Sequence, residues 1–226
     1  MKRIKILIVS VMITAMLLMT VSIPRVQASA NPPVLPPTVR MQGLTLGDWM
    51  AQEWRAVFEI PASKNPNTGY PWTNCYLKRI GKVGLGVLPA SSGSYKCQMP
   101  AGMMLYILVT GGECSTAEQP PFYGANYKEL RACALLYYDP ADQQASVDGI
   151  PVRNIDKYTT LSPLYQFHLP GDNFLGNIAG TYKSVAYGTG FILAPLSPGK
   201  HTVHIHGSIP SISYTSDVIY NITVTK

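Results

Sequence analysis

His201, His204 and His206, close to the C-terminus, are the residues whose type and spacing most directly offer chemistry. In an extended chain successive side chains alternate between faces, so His204 and His206 project together with Cα atoms about 7 Å apart. Both imidazoles could then reach one Zn²⁺ or Cu²⁺. A metal site needs a third ligand, and besides His201 the candidates are His168, Asp148, Asp172 or a cysteine left unpaired. The plainer alternative is a polar strand face on which the two rings lie beside Thr202.

Other groups offer weaker chemistry. Asp139, Asp142, Asp148, Asp172 and Asn173 could supply oxygen ligands to Ca²⁺, but the D-x-[DN]-x-[DN]-G spacing of an EF-hand loop is absent, and Asx-turn duty explains each. Fourteen tyrosines and three tryptophans suit sugar stacking if enough of them are exposed. Tyr70, Trp72, Tyr76 and Tyr123 lie in or beside loops, where a scaffold presents binding groups. Glu53, Glu59 and Glu113 are available for paired-carboxylate hydrolysis, which requires a separation of roughly 5–9.5 Å. A G-x-S-x-G elbow is absent, and Ser115 has no evident base.

The elements that must position these groups are mostly strands. Over 201–207, Val203 and Ile205 point one way and Thr202, His204 and His206 the other; over 217–224, Val218, Tyr220, Ile222 and Val224 share a face. That period of two predicts a strand pair joined by a wide loop at 208–216. Further strands are predicted at 75–80, 83–88, 95–99, 104–110, 164–169 and 182–187, with two strand halves around Asp148-Gly149. The run 103–109 is almost continuously apolar, as in a central strand covered on both faces, and Gly111-Gly112 ends it. Two helices are expected. Thr45 with Asp48 reads as a capping box ahead of the stripe Met50, Trp54, Val57 and Phe58, which Pro61 stops, and residues 127–137 form the second.

The first 30 residues read as a signal peptide: Lys2, Arg3 and Lys5 precede an apolar run over 6–23, and cleavage after Ala28 or Ala30 fits equally. Retention of that run as an uncleaved anchor is the alternative, and the only membrane contact expected. Lys2, Arg3, Lys5 and Arg25 leave with it, so fourteen basic residues face twelve acids and the net charge falls from +6 to +2. The basic balance is thus no nucleic-acid footprint. Residues 31–44 form a proline-rich spacer, and residues 45–226 are long enough for one domain. Cys75, Cys97, Cys114 and Cys133 form an even set in an exported chain, so two disulfides are expected. Four cysteines allow three pairings. Cys75–Cys97 with Cys114–Cys133 is favoured, because each closes a loop of about twenty residues, worth roughly 3 kcal/mol.

Several pieces together resemble a group of secreted prokaryotic proteins without an assigned activity: Trp49 and Trp54, Asn65-Pro66, Cys97-Gln-Met-Pro-Ala-Gly102, Glu113-Cys114-Ser115, Ala145-Ser-Val-Asp-Gly149, Leu169-Pro-Gly-Asp-Asn173, and Ala194-Pro-Leu-Ser-Pro-Gly199 leading into His201-Thr-Val203. The resemblance spans about residues 49–224 and implies a single exported domain, with no mechanism. His204-Ile-His206 also looks like the paired-histidine strand of copper–zinc superoxide dismutase, but that enzyme needs more histidines than this chain has, so dismutation is rejected. The expected fold is mainly β, a two-sheet sandwich with Greek-key or jelly-roll-like connections and two short helices; a closed barrel is the alternative. The expected function is exported, non-catalytic binding or structure, with a glycan or another cell-surface protein as partner. The alternative is a metal-binding protein or metal-dependent enzyme using the histidine strand.

Overall fold

A computed structural model describes residues 32–68, 73–87, 89 and 92–226, so the expected signal peptide, Tyr70 and Trp72 lie outside the described residues. Helix α1 spans Leu46–Glu59. Its N-terminus is closed by the capping box, in which Thr45 Oγ1 accepts from the Asp48 N–H and the Asp48 carboxylate accepts from the Thr45 N–H at 2.8 Å. After Glu59 the backbone turns extended at Ile60, next to Pro61, which cannot continue a helix. Strands β1 (Leu77–Ile80), β2 (Val83–Gly86), β3 (Gly93–Pro100) and β4 (Met104–Ser115) follow, then helix α2 (Tyr127–Tyr137) with Asn126 as its N-cap. The chain returns to β with β5 (Ala141–Val147), β6 (Ile150–Pro151), β7 (Thr159–Leu161), β8 (Tyr165–Leu169), β9 (Gly180–Leu193), β10 (Gly199–Ile209) and β11 (Tyr214–Thr225).

These strands form two sheets packed face to face. One has the order β1-β2-β4-β9-β7, with β8 also on β9; the other runs β3-β11-β10-β5-β6. The β2–β4 and β3–β11 pairs are parallel and the rest antiparallel. This is a mainly β, two-sheet sandwich. Every residue of β4 is buried, because β5 and β10 cover it on one side while α1 and α2 pack on its sheet. The apolar stripe of α1 sinks Trp49, Met50, Val57 and Phe58, and the Phe58 ring stacks on Phe167 of β8 with centroids 4.0 Å apart. Trp54, at the edge of the stripe, is only half-buried.

Three expectations are corrected. β4 does not end at Gly111-Gly112 but runs on to Ser115, paired with β9 throughout. The glycines serve close approach there: a Cβ on Gly111 would lie 2.7 Å from the Tyr187 carbonyl oxygen and 2.8 Å from Gly188 Cα. The last hairpin has no wide loop. Alternation continues to Ile209 and resumes at Tyr214, leaving a short turn at Pro210–Ile212 with Ser213 at φ 53°. The proline-rich stretch is likewise no detached spacer. Val34 bridges to Leu193, the Leu35 N–H donates to the Ile192 carbonyl at 2.8 Å, and the Ala194 N–H donates to the Pro33 carbonyl at 2.8 Å.

Disulfides join Cys75 to Cys97 and Cys114 to Cys133. Such crosslinks persist in an oxidising, extracytoplasmic compartment. Among the described residues no helix is long and apolar enough to cross a membrane. The first disulfide has a local partner. Thr73 and Cys75 exchange backbone hydrogen bonds with Lys96 at 2.9 Å each, laying a short segment along the outer edge of β3. The second ties the end of β4 to α2, and Leu130, Ala134, Val185 and Ile209 close a small core around it.

Candidate functional site

The histidines divide. His204 and His206 share the outer face of β10, as period two requires, but His201 has the parity of Val203 and Ile205 and belongs to the opposite face. At the strand's start its Nδ1 meets Asp148 Oδ2 at 2.7 Å and its Nε2 meets the Ser197 carbonyl oxygen at 2.9 Å. His204 Nε2 lies 2.7 Å from Asp217 Oδ1 on β11, and His206 Nδ1 lies 3.5 Å from Asp217 Oδ2. One carboxylate thus occupies the space between the two rings. The His204 hydrogen bond holds the Asp217 carboxyl below its usual range, against a small desolvation effect. His168 is exposed on β8, in the other sheet. Among the described residues no three His, Cys, Asp or Glu side chains are arranged to hold an ion. The expected third ligand to the histidine strand is therefore not brought to it.

Ser197, His201 and Asp148 have the composition of a hydrolase triad, but the wrong proton arrangement. Ser197 Oγ lies 3.4 Å from His201 Nε2, farther than the Ser197 carbonyl oxygen. With acceptors at both ring nitrogens, the cationic ring is favoured. Its pKa is raised first by the Asp148 hydrogen bond, against desolvation, with the Ser197 carbonyl adding to the rise. A protonated ring has no lone pair with which to activate a serine. The loop acids are committed as well. Asp148 Oδ1 accepts from the Thr202 N–H at 2.8 Å, Asp172 Oδ2 accepts from the Ser63 hydroxyl at 2.7 Å, and Asn173 donates to the Pro170 and Asn177 carbonyls at 2.8 Å each.

The expected carboxylate set also separates. Glu59 pairs with Lys78 at 2.9 Å on the surface, whereas Glu53 is fully buried, with its charge felt by the phenols of Tyr106 and Tyr220. Glu113, near the end of β4, meets instead a residue that sequence reading passed over. Glu118, five positions on in the loop after β4, hydrogen-bonds to Glu113. Their spacing matches no strand or helix period; only the fold of the loop joins them. Ser184 of β9 bridges Glu113 Oε2 and the Cys114 carbonyl oxygen, the latter at 3.0 Å. That donation favours the ionised carboxyl, but burial and Glu118 outweigh it. Burial pushes the Glu113 carboxyl well above its usual range, and Glu118 pushes it the same way. Burial also raises Glu118 to about 7, against hydrogen bonds from Glu113 and Ser115 that pull it down. Two carboxyls in contact cannot both ionise freely.

Glu118 also lines a cleft of about 420 Å³ between the loop after β4 and the start of β9. Thr116, Gln119 and Asn177 supply its polar walls, and Tyr123, Tyr182 and Ile178 its apolar ones. Tyr123 is 45% exposed and Ile178 84%. The walls are fixed from below. The Thr116 N–H donates to the Lys183 carbonyl at 2.9 Å, Asn177 donates its side-chain amide to the Ala117 carbonyl, and the Tyr182 hydroxyl donates to the Ile178 carbonyl at 2.9 Å. Tyr123 is thus the one described member of the predicted aromatic set in the cleft. Tyr76 is half-buried near Tyr95 and Tyr220, against a different gap. A second open groove, of about 210 Å³, lies on the outer face beside Gln143, Ser146, Pro151, His204 and His206, and no aromatic ring other than the two imidazoles lines it.

Neither a protein-family model nor a curated protein matches the chain. A solved chain described as "Structure of PbICP-C in complex with falcipain-2" is similar over 64% of this chain and 100% of its own, with 12% identity and a TM-score of 0.25. A likeness of that size carries no argument about what this chain does.

Proposed function

We propose that this chain is an exported, non-catalytic binding protein whose ligand is a glycan seated in the cleft between the β4–α2 loop and the start of β9. The observation that carries the reading is the pairing of ring faces with amide and hydroxyl groups in one concave site. Tyr123 and Tyr182 offer stacking surfaces, while Thr116, Gln119 and Asn177 offer donors and acceptors to sugar hydroxyls. Support for binding over hydrolysis comes from the carboxyls. Glu113 and Glu118 hydrogen-bond to each other, so they do not stand either side of a scissile bond at roughly 5–9.5 Å.

The test is a glycan-array screen of the purified protein beside Tyr123→Ala. Tyr123 is exposed, so its truncation should leave stability within about 0.5 kcal/mol. It should weaken binding of any captured glycan by roughly two- to tenfold, the worth of about 0.5–1.5 kcal/mol for an aromatic contact. Capture of no glycan, or equal capture by the variant, rules the proposal out.

A further inference from the structure

We infer that the cleft selects a cationic ligand, an amino sugar in its ammonium form, and that seating it takes one proton off the Glu113–Glu118 pair. This rests on the glycan reading and says which glycans fit. Among the described residues lining the cleft, Glu118 alone bears a charge-forming side chain. An acidic glycan therefore finds no cation in those walls, whereas an ammonium group finds a carboxyl. The flanking tyrosine rings add to that preference, since a cation within about 6 Å of a ring centroid is attracted by its π face.

The pair behind the wall makes the selection depend on protons. With both protons in place Glu118 is neutral and hydrogen-bonded to Glu113, and it offers a cation only a weak dipole. When the Glu118 O–H breaks, the proton passes to water or buffer, and a carboxylate faces the cleft. Glu113 stays protonated behind it, kept so by its burial and by the neighbouring Glu118 carboxylate. No bond forms to the ligand, and the charge that leaves as a proton is replaced by the ammonium. The other groups around the pair hold their charge between pH 5 and 9. Burial and the two glutamates keep the phenols of Tyr138, at the end of α2, and Tyr165, on β8, neutral. Arg55 of α1, on the far side of Tyr165, donates its Nε–H to the Gln166 carbonyl at 2.8 Å.

The experiment is isothermal titration calorimetry with oligomers of N,N,N-trimethylglucosamine, whose charge is the same at every pH, beside N-acetylglucosamine oligomers of equal length. The cationic oligomer should bind more tightly by roughly tenfold per unit from pH 5 to 7 and level off above. Runs in buffers of different ionisation heat should show about one proton released per ligand at pH 5.5. Glu118→Gln should lose both the slope and the release. Glu113→Gln, which replaces one neutral hydrogen-bond donor to Glu118 by another, should keep both the slope and the release, with the midpoint near that of the unaltered protein. A flat affinity for the cationic oligomer, or equal or tighter binding of the neutral one at pH 7.5, overturns the inference and leaves the glycan site standing. Binding of neither oligomer by the unaltered protein overturns it together with the glycan reading.

Discussion

Replacing Glu118 by glutamine should make the protein more stable, and increasingly so as the pH rises. The native carboxyl is raised from 4.5 to about 7, chiefly by burial. A group that holds its proton more tightly when folded costs stability as pH climbs from its unfolded pKa to its folded one, and the cost is constant thereafter. Each unit is worth about 1.4 kcal/mol, so the native side chain costs ~3 kcal/mol by pH 8, and glutamine none. Glu113 imposes a slope of its own, and because Glu118 helps to hold that carboxyl up, the substitution lowers it as well and widens the gap in the same direction. Urea unfolding of the two proteins at pH 5, 6, 7 and 8, with disulfides intact, measures the gap. With a urea slope of about 1–3 kcal/mol/M, the midpoints should differ by less than about 1 M at pH 5 and by about 1–3 M at pH 8. A gap that stays constant, or a variant weaker at pH 8, would refute the reasoning by showing that the folded protein favours the ionised form of Glu118.

Two further perturbations test the frame around the site. An alanine methyl at Gly188 would lie 2.5 Å from Gly111 Cα, where the neighbour is backbone and cannot swing away. Gly188→Ala should therefore cost about 2–3 kcal/mol in thermal or urea unfolding, while Gly171→Ala, which meets nothing within 4 Å, should change little. The His201–Asp148 pair should add stability only within a window. His201 is raised, so its share is present below about 6.5 and is lost as pH rises through its folded value. Asp148 is lowered: desolvation pulls it up, but the His201 and Thr202 hydrogen bonds outweigh that, so its share is lost as pH falls through its folded value. Because Asp148 is 44% exposed, Asp148→Asn should cost no more than ~1 kcal/mol near pH 5.5 and less at pH 9, by urea midpoint.

What could be read in the sequence was whatever follows a local period. The alternation from Thr202 to His206 fixes which rings share a face, and the capping box at Thr45 marks the start of the first helix. Long-range approach left no such mark. Gly111 and Gly112 read as a break because glycine serves turns and tight crossings alike, and only the passage of β9 past β4 tells them apart. The histidine cluster was half legible for the same reason. Parity pairs His204 with His206, but nothing in the spacing places Asp217 between them across the hairpin. Glu118 was illegible, since its partner is set by a loop whose path depends on β9, α2 and the disulfide between Cys114 and Cys133.

The segment laid along β3 has a consequence for how the molecule fails. Edge strands invite other chains to add to them, and this one is eight residues long with alternate side chains turned inward. Thr73 and Cys75 satisfy part of its open side, and the Cys75–Cys97 bond keeps them there. Cutting that bond would free a row of amides and carbonyls to recruit a neighbour, so reducing agents should drive copies of the protein to stack on one another before they unravel.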